Sequence, residues 1–189
     1  PVVSVTSDLP GSTGVADFRK EFPEASIDVG VAESNMISTA AGMSKVGFVP
    51  IVDTFAQFGV TKGALPFLMA SLSEAPVIAM FSHTGFQDAA DGASHQALSY
   101  IAMTASIPYV NVVCLSCSDE ADALVYQAIK EFVAARNKGD VPASTIFFLG
   151  RENFPKSYSA GANYSFGHSV LLSDNTQNFS KKVTLVTSG

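Results

Sequence analysis

The chain has 189 residues, 47% of them hydrophobic and only 15% charged, with a formal net charge of −6. That length suits one well-buried domain with room for the start of a second, and so apolar a composition points to surface hidden against another chain or domain. The acidic balance excludes a nucleic-acid footprint, which needs clustered Lys and Arg; no apolar run approaches bilayer length, and "PVVSVTSDLPG" carries no targeting pattern, so the chain reads as cytoplasmic with no membrane role.

Short runs rich in Val, Ile and Phe read as strands at 2–6, 26–31, 48–55, 76–82, 110–116 and 144–150. Between them "VADFRKEF", "SNMISTAAGMSKV", "QFGVTKGALPFLMASLS", "SHQALSYIAMTAS" and "SDEADALVYQAIKEFVAARNKG" carry apolar residues at helical spacing. Pro66 inside the third of these predicts a kink or a new first turn. The last has Ser118 as its cap, Asp119 and Glu120 in its first turn, and Arg136, Lys138 and Gly139 at its close. Strand and helix alternating this often imply a three-layer α/β/α fold with a mainly parallel sheet, because parallel neighbours need crossovers and become apolar on both faces.

Cys114 and Cys117 have CxxC spacing. Zinc needs two more ligands and a redox pair an electropositive helix start, so they read as small apolar residues at a strand end. Beyond Gly150 the turn formers and aromatics of "RENFPKSYSAGANYSFGHSVLLSD" suggest a wandering loop with one short strand, and "KKVTLVTSG" reads as an opening strand. The expected organisation is a domain at 1–155, a connecting segment at 156–182, and the first strand of a following domain at 183–189.

Ligands bind such sheets at the carboxyl ends of the strands. After each strand come Ser7, Asp8 and the turn "LPGSTG"; then Glu33; then Phe55 and Phe58; then "HTGFQDAADGASHQ", with His83, Asp88, Asp91 and His95; and finally Arg151. Each has a plainer use as well. "DLPGSTG" serves equally as a turn, the two phenylalanines as core, and Glu33 as a first-turn carboxylate meeting the helix dipole. The histidine loop lacks metal-ligand spacing, and no strand leads into a GxSxG elbow, so the residue types best suit a polyhydroxylated or anionic small molecule.

In order, "SDLPGST", "VGVAESNM", "DTFAQF", "SHTGFQDAADGASHQ", "IPYVNVVCLSCSDEADA" and "LGRENFP" resemble the pyrimidine-binding (central) domain of transketolases and related thiamine-diphosphate enzymes, over about residues 7 to 155. "DGASHQ" with "AESNM" is most similar to transketolases split over two chains. The resemblance implies transfer of a two-carbon ketol unit between sugar phosphates, with thiamine diphosphate as cofactor. It implies that Glu33 bonds N1′ of the aminopyrimidine, favouring the imino tautomer that takes the C2 proton and leaves the ylid. That role needs a carboxyl group with a raised pKa in a dry pocket. It places Phe55 and Phe58 against the pyrimidine and Asp8 near the cofactor. Ser12, His83 and Arg151 would hold the sugar phosphate, and Asp91 and His95 would bond hydroxyls near the reacting carbon, His95 with a catalytic part.

Four positions depart from the pattern: Ala32, Thr61, Thr84 and Ala90 stand where the family commonly has arginine, an aromatic residue, aspartate and an acidic residue. The "GDG…N" signature that binds diphosphate and Mg2+ or Ca2+ is absent from this chain. The resemblance therefore implies a half-site, completed in a homodimer or heteromer by a diphosphate-binding domain or subunit. 1-Deoxyxylulose-5-phosphate synthase, the β part of a 2-oxo acid dehydrogenase and a non-catalytic assembly module are the alternatives it leaves open.

Overall fold

The computed structural model describes residues 1–158 and 162–188. Its centre is a six-stranded, wholly parallel sheet in the order β2-β1-β3-β4-β6-β5. The strands are β1 (Val2–Thr6), β2 (Ser26–Asp28), β3 (Val49–Phe55), β4 (Ile78–Ser82), β5 (Val110–Cys114) and β6 (Ser144–Phe148). The helices are α1 (Ala16–Glu21), α2 (Glu33–Lys45), α3 (Ala56–Leu72), α4 (Tyr100–Thr104) and α5 (Ser118–Asn137). Chain order reverses around β1, whose neighbours are β2 and β3, the topological position at which such sheets bind ligands beyond the carboxyl ends of their strands.

Both faces of the sheet are covered, which is why its strands read as continuous apolar runs. On one face Met36, Ile37 and Ala40 of α2 and Val60 and Phe67 of α3 pack on Val5, Val52, Phe81 and Phe148. On the other, Leu124, Ala128 and Phe132 of α5 pack on Val49, Ile78 and Phe147, with Tyr164 and Phe166 from the segment beyond the sheet. Each fully buried Phe or Ile contributes on the order of 1.5 to 3 kcal/mol. Arg136 ties α5 to the opposite layer, donating to the Phe48 carbonyl at 2.6 Å and to the Ser44 carbonyl and hydroxyl. α3 lies close to the sheet because Gly59 has no side chain: a Cβ there would sit 2.6 Å from the Phe81 ring.

Several expectations shift. α3 runs unbroken through Pro66. The missing Pro66 N–H frees the Lys62 carbonyl, and the Ser34 hydroxyl of α2 fills the vacancy at 2.5 Å. Ser118 is the first residue of α5, not its cap; the start is fixed by Glu120, whose carboxylate accepts from the Ser116 N–H at 2.8 Å and hydroxyl at 2.7 Å. β2 stops at Asp28 because that carboxylate accepts from the N–H groups of Gly30 and Asp8, both at 3.0 Å, and bends the chain. The fourth helical pattern shrinks to α4, preceded by a single 3-10 turn at Gly92–Ser94.

Cys114 ends β5 and Cys117 lies buried before α5, both as free thiols. Among the described residues beyond Phe148 there is no strand, only a 3-10 turn at Thr176–Asn178. The strand expected in the 151–174 region is thus absent among the described residues, where Tyr164 and Phe166 pack against the α5 face of the sheet instead of joining it, and residues 183–188 are exposed without regular structure. Residues 159–161 of the expected connecting segment and residue 189 lie outside the described residues.

Candidate functional site

Five adjacent strands, β2, β1, β3, β4 and β6, each lead into one of the residues singled out from sequence. Parallel direction puts all five on one edge of the sheet. Asp8 and His83 follow β1 and β4 with φ of +60° and +61°, a left-handed conformation that costs non-glycine residues energy and concentrates at functional sites.

Glu33 opens α2 from the β2 side. The preceding turn is set by Ser7, whose hydroxyl donates to the Gly30 carbonyl at 2.9 Å and accepts from the Ala32 N–H at 3.0 Å. Glu33 is 8% exposed, and no hydrogen bond or ion pair reaches its carboxylate among the described residues. A carboxylate so placed ordinarily has a partner.

Phe55 ends β3 beside Ser82 of β4 in the sheet register, which brings the residue after Ser82 against it. The rings of Phe55 and His83 stack with centroids 3.9 Å apart. Phe58 lies 6.1 Å from Phe55 and edge-on to His95 at 4.9 Å. The two phenylalanines and two histidines therefore form one cluster. Each imidazole Nδ1 meets the hydroxyl of the residue before it, Ser82 at 2.8 Å and Ser94 at 2.9 Å. Where those hydroxyls donate, both Nε2 atoms carry the proton and are the ring donors left over. Burial holds the His83 pKa below its ordinary value, and Asp88 and Asp91 only partly offset this.

The loop between the histidines is anchored to the end of β6. Gln87 Oε1 accepts from the N–H groups of Arg151 at 2.8 Å and Glu152 at 3.3 Å. Gly150 permits this, since a Cβ there would run into Gln87 and the Phe154 ring. Arg151 Nε lies 3.5 Å from the fully buried Asp88 carboxylate. Asp91 is exposed on the same loop, within electrostatic reach of His83.

Ser12 is exposed, with no side-chain bond to His83 or Arg151 among the described residues. Its neighbour Thr13 is the residue held in place: its hydroxyl is shared between Asp53 Oδ2 at 2.5 Å and the Leu9 carbonyl at 2.8 Å. Thr6, directly opposite Asp53 in the sheet, donates to the same oxygen at 2.7 Å. Asp53 is fully buried and its pKa is raised by that burial, with the Thr13 and Thr6 bonds opposing the rise. Sequence reading passed over Asp53; the available signal was a carboxylate inside the apolar run "FVPIVDTF". Thr61, at the expected aromatic position, is exposed and bonds back to the Gln57 carbonyl at 2.6 Å. Among the described residues no group of three or more His, Cys, Asp or Glu side chains could hold a metal ion.

These features define an α/β domain whose candidate site lies along the carboxyl edge of a parallel sheet. The family model "Transketolase, pyrimidine binding domain" matches residues 1–155, and the chain belongs to that family. It is 30% identical over 124 residues to a 1-deoxy-D-xylulose-5-phosphate synthase of Clostridium perfringens, covering 66% of this chain and 20% of that protein. It is 37% identical over 121 residues to a putative transketolase C-terminal section of Methanocaldococcus jannaschii, covering 62% and 37%. The chain thus spans well under half the length of these relatives. Among solved structures, a split-gene transketolase in an inactive β4 tetramer superposes with a TM-score of 0.68 at 27% identity, covering 92% of this chain and 53% of that one. A Pichia stipitis transketolase shares the fold, with a TM-score of 0.66 at 22% identity over 82% of this chain and 23% of that one.

Proposed function

We propose that this chain is the pyrimidine-binding half of a thiamine-diphosphate-dependent transferase of transketolase type, moving a two-carbon ketol unit from a ketose phosphate to an aldose phosphate. The observation that carries this reading is Glu33, a nearly buried carboxylate at the carboxyl edge of the sheet with no partner among the described residues. A protonated ring nitrogen is the partner such a group lacks, and N1′ of an aminopyrimidine fits. Thiamine diphosphate, when bound, would supply the nucleophilic carbon that this transfer requires.

This chain's residues do the rest of its half. Glu33 holds the proton at N1′, Phe55 and Phe58 present aromatic surface to the pyrimidine, and Asp8 lies near the cofactor. His95 and Asp91 bond hydroxyls near the reacting carbon, while Ser12, His83 and Arg151 hold the sugar phosphate. Diphosphate and its Mg2+ or Ca2+ fall to a diphosphate-binding domain or subunit, with which this chain assembles as homodimer or heteromer. The transketolase reading places the domain at 1–155, the connection at 156–182 and a following domain from 183.

The similarity to a 1-deoxy-D-xylulose-5-phosphate synthase supports a second reading, in which the donor is a 2-oxo acid. The test is to combine the chain with a diphosphate-binding partner, thiamine diphosphate and Mg2+, and to offer a ketose or pyruvate with an aldose acceptor. Ketol transfer from the ketose supports the first reading, and carbon dioxide release from pyruvate the second. The chain alone should bind thiamine diphosphate with Mg2+ more weakly than about 1 µM, and tighter binding would overturn the half-site.

A further inference from the structure

A ketose phosphate carries its anionic end several bonds away from its carbonyl, so a site that grips both ends must hold two sets of groups at a fixed separation. Here the sets lie on different elements: Asp91 and His95 on the loop after β4, Arg151 on the segment after β6. Gln87 joins them. Its Oε1 accepts from the N–H groups of Arg151 at 2.8 Å and Glu152 at 3.3 Å, packed against the bare Cα of Gly150.

Further bonds stiffen the loop on either side of this link. Gln96, next to His95, donates from Nε2 to the Asp88 carbonyl at 3.2 Å, and the Gly92 N–H donates to the same carbonyl at 3.2 Å. At the start of the loop, Thr84 donates to the Leu149 carbonyl from its N–H at 3.1 Å and its hydroxyl at 3.0 Å. A continuous path of bonds therefore runs from His95 through Gln96, Asp88 and Gln87 to the backbone of Arg151.

Gln87 fixes the main chain of Arg151, and Asp88 directs its side chain. Asp88 is fully buried, its carboxylate has no hydrogen-bond partner among the described residues, and Arg151 Nε lies 3.5 Å from its Oδ1. That contact engages one corner of the guanidinium. The terminal N–H groups stay available to an anion, since the carboxylate of the exposed Glu152 comes no nearer than 3.9 Å to Nη1. His83 feels the charges of Asp88, Arg151, Asp91 and His95, so the imidazole and both ends of the path belong to one site.

We propose that Gln87 is a positioning residue for the sugar phosphate: by tying the backbone of Arg151 to the loop of Asp91 and His95, it sets the spacing between the hydroxyl-binding and phosphate-binding ends of the site. The identity of the substrate rests on the ketol-transfer reading above; the spacing rests on the Gln87 bonds.

Gln87→Met tests this, because it keeps the length of the side chain and removes the acceptor without changing any charge near the phosphate. With the diphosphate-binding partner, kcat/KM is measured for xylulose 5-phosphate and for xylulose in wild type, Gln87→Met and Arg151→Ala. Gln87→Met should lower the preference for the phosphorylated ketose by about tenfold, through KM, with kcat/KM for xylulose within about twofold of wild type. A merely structural role would lower both alike and also overturns the proposal. A preference unchanged in Gln87→Met but lost in Arg151→Ala overturns the proposal and leaves the ketol-transfer reading standing. A preference unchanged in Arg151→Ala overturns the proposal together with the assignment of Arg151 to phosphate. Should Gln87→Met not fold, Gln87→Asn, one methylene too short to reach, takes its place.

Transfer from neither ketose removes the ketol-transfer reading, and a titration of the chain with inorganic phosphate then decides. Followed at the Arg151 Nε–H by nuclear magnetic resonance, Gln87→Met should raise the dissociation constant at least about threefold, with the Arg151 and Glu152 amides exchanging faster with solvent than in wild type. Equal constants, or no binding to wild type, overturn the proposal.

Discussion

The imidazole of His83 stacks on the ring of Phe55 at 3.9 Å, with the two planes 30° apart. The register of β3 and β4 makes this contact, since Phe55 pairs with Ser82 and the chain turns sharply at His83. Burial under the ring disfavours the imidazolium, so His83 titrates below its ordinary value of about 6.5. The unfolded chain then binds that proton more readily, and stability falls with pH below about 6.5 until folded His83 also titrates. Phe55→Ala should move the His83 pKa back up in a resonance titration; an unchanged value would mean that burial by Phe55 is not the cause.

Ser82 and Ser94 should set the tautomers of the two histidines. Ser82→Ala and Ser94→Ala are expected to turn a nearly pure Nε2–H form into a mixture at His83 and His95 respectively, read from long-range ¹H–¹⁵N correlations. Identical ring nitrogen shifts in wild type and the alanine variants would refute that role.

Asp53 offers a test of how the loop carrying Asp8 and Ser12 is held. Its raised pKa means that the folded chain holds this proton more tightly than the unfolded chain, so ionising Asp53 costs stability as pH rises above about 4. Asp53→Asn removes that cost and keeps an oxygen for Thr6 and Thr13; stability at pH 7 should hold or rise, with a weaker pH dependence. Asp53→Ala leaves both hydroxyls without this acceptor and should cost about 1 to 3 kcal/mol. Equal losses for Asn and Ala in chemical denaturation would contradict the account.

How much of this was legible in the sequence varies with the range of the forces involved. The six strands could be read because covering both faces of a parallel sheet demands continuous Val, Ile and Phe runs, as in "FVPIVDTF" and "STIFF". Boundaries were less legible where a side chain reached back to end an element, as Asp28 does for β2 and Glu120 for the start of α5. Taken by itself, Pro66 predicts a kink or a new first turn, because the Ser34 hydroxyl that satisfies the Lys62 carbonyl comes from a different helix. At the site, Phe55, Phe58, His83 and His95 were each picked out, and the structure brings their rings together. The Asp88–Arg151 pair and the Asp53 anchor depend on strand order, which periodicity does not encode.

Leu65, Met69 and Leu72 are exposed at helical spacing along one side of α3, and on α2 Gly42 faces open space. An exposed apolar stripe of this kind suits a contact surface. The chain should self-associate at tens of micromolar, about the range where weak interfaces are read. Leu65→Asp with Met69→Asp should shift it toward monomer in sedimentation velocity. A wild type that sediments only as monomer at that concentration would remove this face as a self-contact.

The central claim is that Glu33 manages a proton on the aminopyrimidine, and the most direct measurement is hydrogen–deuterium exchange at C2 of thiamine diphosphate bound to the assembled enzyme. Glu33→Gln preserves the shape of the side chain but cannot exchange charge for a proton. The account predicts exchange slower by about two to four orders of magnitude, with cofactor and substrate binding nearly intact. A glutamate that merely complements the dipole of α2 would cost about 0.3 to 1 kcal/mol of stability on the same substitution; C2 exchange at the wild-type rate in Glu33→Gln would contradict the account.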